Sequence, residues 1–152
     1  MLRAADGIGY CNLPTPDERE TNSVVFAFET GEVWAVDTWL LGTRPSDIFV
    51  AEIEHTWAER LEQYATFLRR LGLQAPYRWS AGLTGVNHRR LQVLAAPDRM
   101  ITPGWPGLEC LSEQIVSQGS FGGEQSPTSA LLPFFEAIYH RCGMRRPGYL
   151  PK

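Results

Sequence analysis

The sequence contains almost no lysine and no long hydrophobic run. Lysine occurs once, as Lys152, whereas arginine supplies the other 13 of the 14 basic residues. A phosphate-binding loop of the Walker A type is excluded, because it needs an internal lysine. No apolar stretch approaches the roughly 18 residues of a membrane-spanning helix, and the N-terminal segment lacks the apolar core of a signal peptide. The sequence therefore predicts a soluble protein of the cytoplasm without membrane association.

Cysteine and histidine are also scarce, with three of each. Cys11, Cys110 and Cys142 are odd in number and widely spaced, which is typical of reduced thiols rather than of a disulfide framework. His140 and Cys142 lie two residues apart on a predicted helix and so on different faces, and no second pair has zinc-like spacing. The GxSxG nucleophile motif and the dinucleotide fingerprint are absent as well. We predict no metal ion and no cofactor.

Charge is distributed unevenly along the chain. Residues 1–68 carry 12 acidic and 4 basic side chains, a net −8, whereas residues 69–152 carry 5 acidic and 10 basic ones, a net +5. Paired arginines such as Arg89 and Arg90 suit an anionic partner, because guanidinium groups bind phosphate and carboxylate through a planar fork. The simpler interpretation, solvated charge, is favoured by composition alone. Oppositely charged halves also favour self-association, so a homodimer is a further expectation.

The first 22 residues combine glycine, proline and charge without periodicity. This predicts a loosely ordered N-terminal arm over 1–22 and a single folded domain over 23–152. The domain opens with a β-hairpin in SVVFAFETGEVWAVDTWLL. A three-residue loop, ETG, pairs Phe26 with Trp34 on a face that we expect to be the core, and it leaves Asp37 on the opposite face, towards solvent or a partner.

A long amphipathic helix is predicted from Glu52 to Leu71. Acidic residues occupy its first turn and two arginines its last, and Gly72 follows as a left-handed cap. Apolar residues recur at steps of three and four along one face, as expected for a period of 3.6 residues. This buried stripe comprises Ile53, Trp57, Leu61, Tyr64, Leu68 and Leu71.

A second hairpin is predicted in YRWSAGLTGVNHRRLQV, residues 77–93. Alternation turns Tyr77 and Trp79 inward and places basic side chains on the outer face and at the turn. Such a cluster could contact phosphate at one end of the sheet, but stacking on bases would require exposed rings. With three candidates from elsewhere in the chain, the predicted partner-binding residues are Arg78, His88, Arg89, Arg90, Trp105, Arg145 and Arg146.

The segment 95–127 predicts a long irregular excursion that encloses a short helix, LECLSEQIVSQ. Trp105 lies in this excursion between glycine and proline, where an aromatic side chain can anchor a partner, although long loops more commonly pack on their own core. A final helix is predicted in TSALLPFFEAIYHRCG, starting near Ala130 to Leu132 because Pro133 suits a first turn. Its buried stripe comprises Leu131, Phe135, Ile138 and Cys142.

The order of four landmarks carries a family resemblance. FETGEVWAVDTWLL, ERLEQYATFLRRLGLQAPYRW, AGLTGVNHRRLQV and LLPFFEAIYHRCGMRRP together resemble the region that follows the divergent AlbA-type domain of bacterial Schlafen-like DNA-binding proteins. The resemblance spans about residues 23–147. It implies an accessory part of a nucleic-acid-associated regulator or defence factor. No stretch similar to the family's ExxxxEFK occurs, so the resemblance assigns a nucleic-acid activity to no residue of this chain.

The predicted fold is α+β: a small antiparallel sheet of about four strands in two hairpins, packed against two main helices, with a long irregular excursion. We predict a non-enzymatic accessory or interaction module that binds a partner protein or nucleic acid through its arginine-rich end, in a regulatory or defence system. The alternative is a small metal-dependent nuclease or other hydrolase using Asp37, Glu52 and Glu54. Acids at a helix N-terminus also have a structural role, because they oppose the helix dipole.

Overall fold

The computed structural model describes residues 2–12, 21–93, 108–122 and 124–151. The fold is α+β, as predicted, with small antiparallel sheets and helices packed against strands. The chain divides into two compact units, an N-terminal unit, Met1–Thr43, and a C-terminal unit, Arg44–Lys152. This division falls about 20 residues beyond the predicted end of the arm.

The N-terminal unit is an antiparallel sheet in which each strand pairs with the next along the chain. The described part of the predicted arm, residues 2–12, is therefore not loosely ordered, because it forms the first two strands of this sheet. A single helical turn follows the last strand. The elements are β1 (Leu2–Ala4), β2 (Gly7–Asn12), β3 (Ser23–Phe28), β4 (Val33–Asp37) and α1 (Trp39–Gly42).

The hairpin of β3 and β4 has the predicted loop and register. Gly31 adopts a φ of 86°, the left-handed conformation that a three-residue loop requires at its last position. Phe26 is directly opposite Trp34, and Val24 is opposite Val36. Local turn chemistry therefore determines which residues share a face of this sheet.

The C-terminal unit combines two helices with two strand pairs. β6 and β8 are antiparallel, whereas β5 and β7 pair in parallel over three residues each. The elements are β5 (Asp47–Phe49), α2 (Val50–Arg70), β6 (Tyr77–Thr84), β7 (Arg90–Gln92), β8 (Gln114–Phe121) and α3 (Pro127–Arg141).

Two predictions for this unit were wrong. The predicted hairpin over 77–93 does not form, because β6 pairs with β8 and β7 pairs with β5. The predicted short helix in LECLSEQIVSQ, residues 108–118, does not form: residues 108–113 are not helical, and β8 begins at Gln114, with inward positions that alternate as a strand requires. β8 matches β6 over all eight residues, whereas β7 offers only three, so the longer ladder forms.

α3 packs against β8 on one side and against α2 on another. α2 ends as predicted, with Gly72 at a φ of 83°, although Leu71 is exposed. α3 begins earlier than predicted, because Ser126 caps it and accepts a hydrogen bond from the Ser129 amide, and Pro127 suits the first position. Every predicted member of the α3 stripe is buried, namely Leu131, Phe135, Ile138 and Cys142.

Candidate protein-interaction surface

The sheet of the N-terminal unit has no buried side chain among residues 5–11 and 21–43, whose burial the structure describes. Of the residues with described burial, Gly9 is the one buried residue in this unit, and the buried apolar side chains all belong to the C-terminal unit. A single sheet layer becomes stable by covering an apolar face with a second layer. Apart from its strands, the described part of this unit contains one helix, α1, which has only four residues.

One face of this sheet, the Trp34 face, is aromatic and apolar. Strand pairing places Phe26 beside Trp34 and Val24 beside Val36. The ring of Phe28 contacts that of Trp34 with centroids 5.7 Å apart. Nevertheless Trp34 is 66% exposed and Val36 63% exposed. The prediction that this face forms the core was therefore wrong, because no described layer covers it.

The opposite face, the Tyr10 face, is also apolar. Register places Ile8 beside Ala27 and Val33, and Tyr10 beside Val25 and Ala35. Tyr10 is 65% exposed and Ile8 54% exposed. The signal was present in the sequence, since SVVFAF and VWAVD are apolar at both odd and even positions. Such continuous apolar strands are typical of sheets that are covered on both faces.

The outer edge of β4 is also unpaired within the described residues, because β4 ends the strand order. The Phe28 amide donates to the Glu32 carbonyl and the Thr38 amide to the Asn22 carbonyl, each at 2.9 Å. Since antiparallel pairs alternate, Val33, Ala35 and Asp37 direct their backbone amides and carbonyls away from β3.

Asp37, one of the three predicted carboxylates, has a local structural role. Its Oδ1 accepts hydrogen bonds from the amides of Trp39 and Leu40, at 2.8 and 3.3 Å. The side chain thereby caps the helical turn α1. Its carboxylate satisfies amides that the turn leaves without a partner.

The other two carboxylates, Glu52 and Glu54, lie on α2 in the C-terminal unit. Glu52 is exposed in the first turn of α2, where its negative charge interacts favourably with the helix dipole. Glu54 forms an ion pair with Arg146, with Oε2 to the guanidinium at 2.6 Å and Oε1 at 2.9 Å. No group of three metal-binding side chains occurs within the described ranges.

Arg146 is a buried structural cation rather than an exposed one. Its side chain is 6% exposed, that of Glu54 is 11% exposed, and its guanidinium also donates to the Pro151 carbonyl at 2.7 Å. The hydrogen bond to Glu54 raises the pKa of Arg146. The predicted anion-binding role would require this guanidinium to leave its carboxylate, and the neighbouring Arg145 is the exposed member of the pair.

The remaining predicted basic residues are not gathered at one end. Arg78 is exposed near the start of β6, which at about 3.3 Å per residue lies about 20 Å from the other end of the strand. His88, Arg89 and Arg90 do lie together, after that other end. His88 Nδ1 is 2.6 Å from Glu109 Oε1, so an acidic side chain accompanies this cluster. Trp105 lies outside the described residues.

A groove of about 240 Å³ lies between α2 and α3 in the C-terminal unit. Tyr139 lines this groove, and its hydroxyl is buried. Burial, and then the nearby Glu54 carboxylate, raises the pKa of Tyr139. The lining residues are Ala51, Glu54, His55, Ala58, Thr128, Tyr139, Leu150 and Pro151.

Comparison with protein-family models, with curated proteins and with solved structures finds no match to this chain. The Schlafen-like resemblance therefore stays a prediction. Within the described residues, no helix is both long enough and apolar enough to cross a bilayer.

Proposed function

We propose that this protein is a non-enzymatic interaction module that binds a partner protein through the sheet of its N-terminal unit. The observation that carries the proposal is the sheet's exposed apolar character, with Trp34 and Tyr10 on opposite faces and each about two-thirds exposed. Contiguous exposed apolar surface of this kind marks protein-interaction sites, and aromatic side chains supply much of the binding energy there.

A protein partner is favoured over nucleic acid by the charge of this unit. Residues 1–43 contain 7 acidic and 2 basic side chains, a net −5. Phosphate backbones require cationic surfaces, and stacking of bases on aromatic rings works together with such surfaces. The binding surface that we propose is therefore the apolar sheet and not the arginines predicted from the sequence. A regulatory or defence setting rests on the family resemblance alone.

The test compares Trp34→Lys with Leu111→Lys. Leu111 is 76% exposed in the C-terminal unit, so the second variant adds the same charge at an equally exposed apolar position away from the sheet. Tagged wild type and both variants would be cross-linked in cells of the source organism, and the attached proteins quantified by mass spectrometry. We expect a specific partner to be lost with Trp34→Lys and retained with Leu111→Lys, because a lysine cannot replace the ring in an apolar interface.

Circular dichroism of the purified variants would confirm that each retains its secondary structure. Retention of every attached protein by folded Trp34→Lys would contradict the assignment of the Trp34 face. Loss with both variants would indicate a nonspecific effect of charge. A nucleic-acid shift that depends on Arg89 and Arg90 would instead favour the partner class that the sequence left open.

A further inference from the structure

We propose that the partner is a second copy of this chain, and that the two copies join through their β4 strands, antiparallel about a twofold axis at Ala35. This inference rests on the proposed function of the N-terminal sheet and specifies its partner. The two four-stranded sheets would become one continuous eight-stranded sheet. The contact is isologous, since the same five residues of each copy meet.

The backbone of β4 is suited to this pairing. Val33, Ala35 and Asp37 direct their amides and carbonyls outward, away from β3. In the proposed register Val33 is opposite Asp37 of the second copy, and Ala35 is opposite Ala35. All three outward-facing residues then exchange backbone hydrogen bonds with their counterparts. Every outward-directed amide and carbonyl of β4 therefore has a partner in the second copy.

The side chains agree with the same register. Trp34 lies opposite Val36 of the second copy, at the positions between hydrogen-bonded pairs where side chains approach most closely. Aromatic and β-branched residues form favourable cross-strand pairs there. Trp34 and Val36, both strongly exposed in one copy, thereby each lie beside an apolar side chain of the other copy. Asp37 faces Val33, so the register places no like charges opposite each other.

Alternative registers are less favourable. A shift by two residues leaves one terminal outward-facing residue of each copy, Val33 or Asp37, without a partner. A shift by one residue would bring inward-bonded positions to the interface and exchange the faces of the sheet. The self-complementary sequence VWAVD therefore specifies the full five-residue overlap.

β4 lacks most of the features that keep strand edges apart, and its only charged residue is Asp37 at the end of the strand. Native sheets protect their edges with lysine, proline, bulges or very short strands. The opposite edge, β1, is only three residues long, but β4 has five residues, none of them proline or lysine, and continuous pairing with β3. A second copy is the occupant that matches this edge residue for residue.

The test is the oligomeric state of the full chain and of two variants, Ala35→Lys and Ala35→Glu. Sedimentation equilibrium from about 1 to about 100 µM covers the range in which modest interfaces associate. Wild type is expected to reach twice its 17.1 kDa mass. Each variant alone is expected to remain monomeric, because two like charges meet at the axis. Their mixture is expected to recover the dimer, because opposite charges then meet.

Leu111→Lys is the matched control and is expected to dimerise as wild type does. Should either Ala35 variant fail to fold, amide exchange on wild type supplies a second measurement. The amides of Val33, Ala35 and Asp37 are expected to exchange more slowly at high protein concentration. Those of Trp34 and Val36 already bond to β3, so their exchange is expected to depend much less on concentration.

A wild type that stays monomeric at 100 µM would overturn this inference but not the proposed function, whose capture test on Trp34→Lys is separate. A dimer that both charged variants retain would overturn the β4 contact. A dimer restored only by mixing the variants would locate the twofold axis at residue 35 and support the inference.

Discussion

Glu54 and Arg146 form the buried ion pair of the C-terminal unit, and their relation shows how single residues act in this protein. They are separated by 92 positions in the sequence but are joined by two hydrogen bonds in the fold. Burial makes each charge dependent on the other, because an unpaired charge in the interior carries a large desolvation cost. The sequence interpretation assigned them to different sites, as a possible metal ligand and as an anion binder. Their shared role is structural.

We expect Arg146→Met to lower the free energy of unfolding by about 3 to 5 kcal/mol, because Glu54 would remain buried without a counterion. The double variant Glu54→Leu with Arg146→Met is expected to recover much of that loss, since neither charge remains. Arg145→Met is the control, because Arg145 is exposed. Urea denaturation measures all three. A single variant as stable as the control would show that the pair contributes little.

At the level of elements, the pairing of β6 with β8 organises the interior of the C-terminal unit. Trp79 and Gly119 are directly opposite each other on these strands. A Cβ atom at residue 119 would lie only 2.5 Å from Cζ2 of the indole ring, so the glycine gives the ring its space. The pair thus combines a large side chain with the smallest residue. This contact explains why a glycine is tolerated within an eight-residue strand.

Gly119→Ala is therefore expected to destabilise the protein by about 1 to 3 kcal/mol, the usual cost of overpacking. Gly148→Ala is the matched control, because a Cβ there meets nothing within 4 Å. Both would be measured by thermal and urea unfolding. Equal stability of the two variants would mean that the indole ring moves aside at no cost.

At the level of the whole molecule, the two units differ in how their apolar residues are used. The C-terminal unit buries a core of aromatic and aliphatic side chains, whereas the N-terminal unit leaves its apolar sheet exposed. The first arrangement stabilises a fold, and the second is suited to association. The core also buries two groups that can lose a proton, the Tyr139 hydroxyl and the Cys142 thiol.

This core predicts a loss of stability at alkaline pH. Burial is the largest cause that raises the pKa of Tyr139 above its ordinary value of 10.0 and that of Cys142 above 9.0, with the nearby Glu54 and Cys110, respectively, adding to it. The unfolded chain therefore releases these protons at a lower pH than the folded chain. Stability is fully present below about pH 8 and falls as the pH rises through 9 and 10, by about 1.4 kcal/mol per pH unit for each group.

Urea unfolding between about pH 7 and about pH 11 measures this slope. Tyr139→Phe is expected to reduce the slope above pH 10, because the variant no longer has this titrating hydroxyl. An identical slope in wild type and Tyr139→Phe would contradict the contribution of this group.

Sequence patterns that span only a few residues were sufficient to predict α2, the buried stripe of α3 and the β3–β4 hairpin. The period of 3.6 residues predicted α2 and the buried stripe of α3, and the left-handed Gly31 and the ETG loop determined the register of β3 with β4. These features depend on residues a few positions apart. They follow from side-chain periodicity and from the conformational freedom of glycine.

Only the tertiary structure decided which strand β6 would join and which charges would be buried. An alternating segment such as β6 specifies its faces but not its partner, because β7 and β8 are both compatible with it until long-range packing selects one. The Glu54–Arg146 pair likewise requires the whole fold. The sequence by itself determined that β3 and β4 are apolar on both faces, but only the fold showed that no described residues cover them.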